Sequence, residues 1–230
     1  MDTRFRNRTE AGHQLAQHLS AYAHRADVLI LGLPRGGVVV ASAVAQDLQV
    51  AMDIWLVRKL AAPTQPELAI GAIALGGVQV LSPDLIQWLQ VSDQTLAQVI
   101  AKEQKELERR HYTYRQQRPP PAVRDRTLIV VDDGIATGST MTATLQALRT
   151  QNPHQIIVAV PVAPPEVCAQ VRTWADEVVC LQQPSTLHAI GYWYSDFTQV
   201  PDQTVCRLLH HQWTNALLTP SAEHFPTRDP

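Results

Sequence analysis

The sequence lacks any long apolar segment and carries little net charge, and each absence excludes a class of function. No apolar run approaches the roughly 18 residues that a membrane-spanning helix requires. A net charge of -2 gives no support for a surface that binds nucleic acid or membranes. Residues 1–10 are charged and lack the apolar core of a secretory signal. We therefore expect a cytoplasmic protein that binds neither nucleic acid nor a membrane.

Cysteine and histidine are too scattered in the sequence to indicate a metal site. The three cysteines, Cys168, Cys180 and Cys206, lack the close pairing of a zinc site. The nine histidines include no His-x-x-x-His pair beside an acid. We predict reduced, structural cysteines and no metal ion bound directly by protein side chains.

Residues 128–140, LIVVDDGIATGST, form the most informative segment of the chain. The four aliphatic residues at its start are typical of a strand that is buried on both faces. Asp132 and Asp133 follow where this strand must end, and a helical pattern begins near Met141. Two acids, two glycines and three hydroxyl residues within nine positions are uncommon in a plain junction between a strand and a helix.

The glycines and hydroxyls of this segment predict a phosphate-binding loop. Gly134 and Gly138 allow the backbone to turn and to approach a ligand closely. Thr137, Ser139 and Thr140 offer hydroxyls, and the first amides of the following helix are donors at the positive end of its dipole. Acids directly before such a loop would repel a phosphate, so they are better suited to bind hydroxyl groups. The segment therefore predicts a site for a ribose 5-phosphate.

Three other interpretations of the segment are weaker. A Walker-type nucleotide loop would have a lysine after Gly138, and acids would not precede its glycines. The glycine spacing of dinucleotide-binding folds is absent. A plain strand–turn–helix junction with an acidic turn is the remaining alternative, and it involves no ligand.

Apolar patterns along the chain alternate between strands and helices, which predicts a parallel α/β sheet with right-handed crossovers. Strands are predicted at 28–31, 54–57, 128–131, 156–160 and 178–181, with a hairpin at 70–81. Helices are predicted at 10–23, 38–48, 141–150 and 165–175, with a long helix that Ser92 caps and that ends near 117.

Two further polar segments are predicted at the carboxyl ends of strands, where ligands of an open parallel sheet bind. Arg35, Gly36 and Gly37 follow the first strand; the glycines permit close backbone approach, and a guanidinium suits phosphate oxygens. Arg58 and Lys59 follow the second strand. Each segment alone also fits a turn or solvated cations. Together with the acidic pair, they predict one site at one edge of the sheet.

The segment 128–140 resembles the motif that binds phosphoribosyl diphosphate (PRPP) in type I phosphoribosyltransferases, and the resemblance extends over about residues 28–182. Residues 5–8 and 193–200 are similar to features of a little-described branch of that family. The resemblance implies an α/β fold with a Rossmann-like parallel sheet flanked by helices. It implies a single domain over 1–218, with a small hood at about 1–24 and 185–200, a helical insertion at about 92–117 and a loosely ordered tail at 219–230.

The resemblance also implies an activity, the transfer of the 5-phosphoribosyl group from PRPP to a nitrogenous acceptor with release of pyrophosphate. The implied cofactor is Mg²⁺ carried by PRPP, and the implied partners are small molecules. The implied roles are catalysis by Asp132, Asp133, Arg58 and Lys59; binding of the 5-phosphate by Ala136, Thr137, Gly138, Ser139 and Thr140; binding of pyrophosphate by Arg35, Gly36, Gly37, Arg58 and Lys59; and binding of the acceptor by Tyr192 and Trp193.

The resemblance raises three further expectations. The loop at Arg35 commonly contains a cis peptide that does not precede proline, which here would join Pro34 and Arg35. The segment 60–67 would be a lid that closes over the reaction and excludes water. The aromatic residues of the hood would either stack on a heteroaromatic base or pack the C-terminal segment onto the body; they are Tyr192, Trp193, Tyr194 and Phe197.

Ala136 departs from the pattern of family members that act on 6-oxopurines, in which an aspartate precedes the Thr-Gly pair. The acceptor is therefore expected to be a nucleobase other than a 6-oxopurine, although an acceptor that is not a base stays open. The alternative function is a regulatory protein that senses PRPP without transferring its sugar. Arg58, Lys59 and the expected lid favour the enzyme. Many relatives dimerise, and a homodimer is compatible with this sequence.

Overall fold

The computed structural model describes residues 4–63, 65–116 and 118–218, and it has the α/β architecture that the sequence predicts. The strands are β1 (Val28–Gly32), β2 (Ala51–Ile54), β3 (Val57–Ala62), β4 (Gln65–Ala74), β5 (Val78–Leu81), β6 (Thr127–Val131), β7 (Gln155–Val162) and β8 (Glu177–Gln182). The helices are α1 (Arg8–His18), α2 (Gly36–Leu48), α3 (Pro83–Trp88), α4 (Asp93–Arg115), α5 (Ser139–Arg149), α6 (Pro165–Val171) and α7 (Asp202–Leu218). A five-stranded sheet has the order β2-β1-β6-β7-β8 with parallel neighbours throughout. The tail predicted at 219–230 lies outside the described residues.

The central strands are buried on both faces because their alternate side chains enter two different cores. Ile30 and Ile129 pack in one core with α1, α2 and α7. Leu128 and Val130 pack in the other core with α5 and α6. Every residue of β1 and β6 is buried. This explains the continuous aliphatic runs in the sequence, since neither face of these strands meets water.

The predicted strand at 54–57 is wrong, because the chain changes sheets within it. β2 ends at Ile54, and β3 begins at Val57 in a second, antiparallel sheet of order β3-β4-β5. The apolar run hides this break because Trp55 and Leu56, which connect the two strands, are also buried. Arg58 and Lys59 therefore lie within β3 and do not follow a strand of the parallel sheet. The hairpin predicted at 70–81 is confirmed by β4 and β5.

The long helix predicted after Ser92 is confirmed as α4. The Oγ atom of Ser92 accepts a hydrogen bond from the backbone N of Thr95 at 3.2 Å, which is the expected capping contact. Helix α1 ends at His18, earlier than predicted, and a short 3-10 turn follows at Ser20–Tyr22. Helices α3 and α7 were not predicted. Across the described parts of the chain, none of the helices combines the length and the apolarity needed to span a bilayer.

Helix α1 packs directly on α2 at Gly12. A Cβ atom at Gly12 would lie 2.6 Å from the Cβ of Ala43 and 2.6 Å from the carbonyl oxygen of Val40. The missing side chain therefore sets how closely the two helices approach. Residues 1–24 were expected to belong to the hood, whereas this contact holds α1 against the body of the domain.

The carboxyl ends of β1 and β6 align, which brings the loops that follow them together. Gly32 is in register with Val131, and the backbone N of Leu33 donates to the carbonyl oxygen of Val131 at 2.9 Å. The backbone N of Ile135 donates to the carbonyl oxygen of Val162, at the end of β7, also at 2.9 Å. The predicted loops after β1 and β6 thus meet at one edge of the sheet.

Candidate functional site

Asp132 and Asp133 begin the loop after β6, and hydrogen bonds fix both of them. The backbone N of Asp133 donates to Oδ1 of Asp132 at 2.9 Å. The hydroxyl of Tyr194 donates to the carbonyl oxygen of Asp133 at 2.7 Å. Burial, followed by the charge of the adjacent Asp133, raises the pKa of Asp132 well above its usual value. Two carboxyl groups held side by side and partly withdrawn from water are suited to bind a pair of hydroxyls.

Arg8, which the sequence analysis did not include in the site, contacts the acidic pair directly. Its Nε lies 2.7 Å from Oδ2 of Asp133, and its Nη1 donates to the carbonyl oxygen of Thr198 at 2.9 Å. The guanidinium carbon is 3.8 Å from the centre of the Phe197 ring, within the range of a cation–π contact. The only sequence signal was the resemblance of residues 5–8 to one branch of the family, which identifies a segment without giving Arg8 a partner.

Gly36 and Gly37 begin α2 and lie against the acids. A Cβ atom at Gly36 would lie 1.8 Å from Oδ2 of Asp133, and one at Gly37 would lie 2.7 Å from the carbonyl oxygen of Val131. The peptide bond between Pro34 and Arg35 is cis, as the resemblance predicted. The absence of side chains at the two glycines therefore lets this loop touch the acidic pair through its backbone.

Arg35 directly precedes this helix, and its side chain reaches the start of α7. Its Nη1 lies 3.6 Å from Oδ1 of Asp202, and both side chains are more than a third exposed. The hydroxyl of Tyr114 donates to the same Asp202 oxygen at 2.7 Å. An exposed ion pair of this length contributes little free energy. Arg35 can therefore exchange Asp202 for a stronger anion at small cost.

Residues 136–140 form the turn that leads into α5. Gly138 has φ = 75°, in the left-handed region that favours glycine, and no side chain caps this helix start. Ala136, Thr137 and Thr140 are exposed, and the hydroxyl oxygens of Thr137 and Ser139 are 3.3 Å apart. An uncapped helix start beside several hydroxyls is suited to bind a phosphate.

A cavity of about 360 Å³ is lined by residues of two predicted phosphate-binding segments and by Pro34, which directly precedes the third. Its wall contains Pro34 from the loop after β1, Arg58 and Lys59 from β3, and Thr140 from the first turn of α5. Arg58 and Lys59 were expected to reach the site from the end of a parallel strand. The structure brings them to it through the antiparallel hairpin instead. The expected lid at 60–67 belongs to this β3–β4 hairpin, except for Thr64, which lies outside the described residues.

Helix α4 supplies further polar groups to the same cavity, and these groups were not predicted from the sequence. Glu103 and Arg110 lie in its wall, and Nη2 of Arg58 is 2.6 Å from Oε2 of Glu103. The indole Nε1 of Trp55, also in this wall, is buried without a hydrogen-bond partner among the described residues. The Nζ of Lys59 donates to the carbonyl oxygen of Pro66 at 2.9 Å. The cavity wall thus carries three basic side chains against one acid, together with a buried donor, and this excess of positive charge suits an anionic ligand.

The N-terminal residues and the C-terminal segment pack together beside Asp133. Phe5 forms an isolated parallel bridge with Tyr194, and the centres of their rings are 5.4 Å apart. The rings of Tyr194 and Phe197 are 5.0 Å apart. Of the two alternatives left open for the hood aromatics, Tyr194 and Phe197 take the packing role, because their rings join the segment to Phe5 and to Arg8.

Tyr192 and Trp193 occupy a different position from Tyr194. They line a second cavity of about 230 Å³ together with Arg4, Thr186 and His188. Tyr192 is 70% exposed, so its ring surface is available for stacking. Neither Asp132 nor Asp133 is part of this wall, and the predicted role of Tyr192 and Trp193 in binding the acceptor stays a prediction.

The side chains at the site are compatible with Mg²⁺ carried by a phosphorylated substrate. Within the described ranges, no group of three or more His, Cys, Asp or Glu side chains is placed to hold a metal ion. Mg²⁺ keeps several of its waters and is usually bound through substrate phosphates and one or two carboxylates. Mg²⁺ carried by substrate phosphates would therefore need few ligands from the protein.

Comparison with known proteins links this geometry to one family. A profile of the “Phosphoribosyl transferase domain” matches residues 5–195. The chain is 41% identical over 228 residues to proteins of two Mycobacterium tuberculosis strains, CDC 1551 / Oshkosh and H37Rv, each named “Putative phosphoribosyl transferase”. These alignments cover 98% of this chain and 51% of each relative. The chain thus spans about half the length of the curated relatives it matches.

A solved structure agrees with the present one over most of the chain. The protein TT1426 from Thermus thermophilus is 41% identical and superimposes with a TM-score of 0.82. The comparison covers 91% of this chain and 99% of that one. The likeness therefore extends over nearly the whole of both chains.

Proposed function

Because the chain belongs to the phosphoribosyl transferase family, we propose that it transfers the 5-phosphoribosyl group of PRPP to a nitrogenous acceptor and releases pyrophosphate. The observation that carries this proposal is the position of the acidic pair. Asp132 and Asp133 lie between the uncapped start of α5 and the glycines that begin α2. In PRPP, the two ribose hydroxyls lie between the 5-phosphate and the pyrophosphate. The acids would therefore face the hydroxyls, and the two glycine-containing loops would face the two anionic groups.

The 5-phosphate is assigned to residues Ala136, Thr137, Gly138, Ser139 and Thr140. Amides at the start of α5 and the adjacent hydroxyls would donate hydrogen bonds to its oxygens. Asp132 and Asp133 would accept hydrogen bonds from the ribose hydroxyls. Held in this way, the sugar presents its anomeric carbon at a fixed position, which removes orientational freedom before the reaction.

The pyrophosphate is assigned to the loop at Arg35, Gly36 and Gly37 and to the cavity beside it. Arg58 and Lys59 contribute positive charge to the wall of this cavity, and such charge stabilises a departing anion. Mg²⁺ bound to PRPP would add charge stabilisation to the same leaving group. Two phosphate-binding elements and one acidic pair thereby hold the donor at three places.

The reaction requires the residues to stabilise a cationic ribose while its bond to pyrophosphate breaks. The carboxylate of Asp133 is adjacent to where that positive charge develops, and electrostatic stabilisation of this kind is often the largest catalytic contribution. Closure of the β3–β4 hairpin over the donor would exclude water, which otherwise hydrolyses the activated sugar. The chain thus binds, orients and shields the donor, and the nitrogen of the acceptor forms the new bond.

The acceptor is proposed to be a nucleobase that is not a 6-oxopurine. Position 136 carries alanine in place of the aspartate that precedes the Thr-Gly pair in 6-oxopurine enzymes of the family, so the group that would orient such a purine is missing. Tyr192 and Trp193, with His188 in the same cavity, offer surfaces that can stack on an aromatic ring.

A pyrophosphate-release assay across a panel of nucleobases and small amines tests the proposal. We expect release from Mg²⁺ and PRPP with at least one nucleobase, and no stimulation by hypoxanthine or guanine. Tight binding of PRPP without release for any acceptor would favour the alternative, a PRPP-sensing protein. Failure of the protein to bind PRPP at all would contradict both functions.

A further inference from the structure

We propose that Arg8 is a positioning residue that holds Asp133 in the orientation in which it binds the ribose of the donor. This inference rests on the proposed function, and it concerns a residue outside the motif that carries the family resemblance. Arg8 comes from the N-terminal end of the chain, 125 residues before Asp133.

The first observation is that Arg8 is held at three points. Its Nε bonds to Oδ2 of Asp133 at 2.7 Å, its Nη1 bonds to the carbonyl oxygen of Thr198 at 2.9 Å, and its guanidinium stacks on Phe197. The Arg8 side chain is 10% exposed and that of Asp133 is 14% exposed. A planar guanidinium with several fixed partners directs an acid more strictly than a flexible ammonium group does.

The second observation is that Asp133 is fixed at its backbone as well as at one oxygen. Tyr194 holds its carbonyl oxygen and Asp132 accepts its amide hydrogen. Arg8 engages Oδ2, so the arrangement leaves Oδ1 to accept a hydrogen bond from a ribose hydroxyl. Asp133 then has one oxygen for its support and one for the ligand.

The third observation places the ion pair inside the site. A Cβ atom at Gly36 would lie 1.8 Å from Oδ2 of Asp133 and 2.8 Å from Nε of Arg8. The backbone of the proposed pyrophosphate loop therefore touches the ion pair itself. Loss of the guanidinium would disturb the orientation of Asp133 at the junction between the ribose and pyrophosphate sites.

The charge of Arg8 also reduces the repulsion between the two neighbouring acids. The groups that face Asp132 are the carboxylate of Asp133, the guanidinium of Arg8 and the phenol of Tyr194. Arg8 lowers the pKa of Asp132 against the larger upward effects of burial and Asp133. Burial, followed by the charge of Asp133, raises the pKa of Tyr194, which keeps the phenol neutral. Arg8 thus supplies positive charge beside the acidic pair that opposes part of the rise in the pKa of Asp132.

The test uses calorimetry of the full chain with two probes, Mg²⁺-PRPP and Mg²⁺-pyrophosphate. The variants are Arg8→Gln, Arg8→Lys, Asp133→Asn and the double variant Arg8→Gln/Asp133→Asn. Arg6→Gln is the matched control, because Arg6 lies two residues away with a side chain that is 81% exposed. Thermal unfolding of each variant verifies that it is folded.

We expect Arg8→Gln to weaken PRPP binding by about 10-fold or more, in the range of coupling between contacting charged groups. Pyrophosphate binding should stay within about 3-fold of wild type, because the ribose contact is absent from that probe. Arg8→Lys should recover part of the loss. In the Asp133→Asn background, Arg8→Gln should have little further effect, since Arg8 acts through Asp133.

Three results would overturn the inference. Equal losses for both probes would show a general structural role, and additive effects of Arg8→Gln and Asp133→Asn would show that the two residues act independently. Unchanged PRPP binding in a folded Arg8→Gln or Arg8→Lys variant would contradict it outright. In these cases, binding of PRPP by the wild-type protein still supports the proposed function. If the wild-type protein binds no PRPP, both the proposed function and the role of Arg8 are contradicted.

Discussion

At the residue scale, the protonation of Asp132 links the stability of the fold to the chemistry of the site. Burial and the neighbouring Asp133 raise its pKa in the folded protein, whereas the unfolded chain has the ordinary value of about 3.9. The folded state therefore retains the proton over a pH range in which the unfolded chain has lost it. The resulting stabilisation is fully present below the unfolded pKa and is lost as pH rises through the folded pKa.

Asp132→Asn should separate these two effects. The variant has no carboxyl group to ionise at this position. Its free energy of unfolding should therefore increase relative to that of wild type as pH rises above about 4, where wild type begins to lose stability. Its transfer activity should fall by about 100-fold because a ribose contact is lost. Urea unfolding over a pH series, combined with pyrophosphate release, measures both quantities.

Asp84→Asn on the exposed face of α3 is the control for the stability measurement. It should leave the pH dependence of unfolding as in wild type. A difference between Asp132→Asn and wild type that stays constant across the pH series would contradict the proposed ionisation.

At the element scale, close contacts between α1 and α2 hold the N-terminal helix against the body. Gly12→Ala should lower the free energy of unfolding by about 1–3 kcal/mol, because the new methyl group would press on the backbone and on Ala43. Chemical denaturation measures the change. Gln17→Ala on the exposed side of α1 should change the stability by less than about 0.5 kcal/mol, and an equal effect of the two substitutions would argue against tight packing at Gly12.

The C-terminal end of α4 is tied to β2 by a buried ion pair between Arg115 and Asp53. Arg115→Met should destabilise the protein by about 3–5 kcal/mol, because it leaves the carboxylate of Asp53 buried without its cation. Arg109→Met removes an exposed ion pair on the same helix and should cost less than about 1 kcal/mol. Thermal and urea unfolding compare the two variants, and similar losses would show that burial of the pair is unimportant.

An element could be predicted from the sequence when the residues that form it are neighbours in the chain. The loop 132–140 was placed correctly after a buried strand because the strand, the acids, the glycines and the helix start are contiguous. The break after Ile54 was missed because buried residues continue through both strands and hide the change of sheet. Arg8 was missed because its partner is 125 residues away, and periodicity carries no information about such a contact.

At the scale of the whole molecule, both sheets contribute residues to the candidate site. The parallel sheet presents the acidic pair and both glycine loops, while the antiparallel sheet and α4 supply the charged wall of the larger cavity. The parallel sheet could be predicted from the strand–helix alternation. The contribution of α4 could not be predicted, because the charged side chains of a long helix are usually exposed to solvent and do not indicate a site. The homodimer and the cytoplasmic location stay predictions.

Binding of the donor should depend on Mg²⁺ because the ion compensates the charge of the pyrophosphate. We expect calorimetry to show much weaker PRPP binding without Mg²⁺, and Arg35→Ala to weaken binding by about 10-fold with Mg²⁺ present. Arg207→Ala on the exposed side of α7 should have no such effect. An affinity that is the same with and without the metal would count against the assigned pyrophosphate site.

The hydrogen bond between Arg8 and Thr198 joins positions 190 residues apart in the chain, and this separation has a consequence for biosynthesis. Contacts between distant positions form late, since a long loop must close before they are made. A nascent polypeptide on the ribosome can assemble its first strand and helix early, but the support of Asp133 stays incomplete until residue 198 has emerged. Prematurely terminated products would therefore carry the loop after β6 without the contacts that fix Asp133.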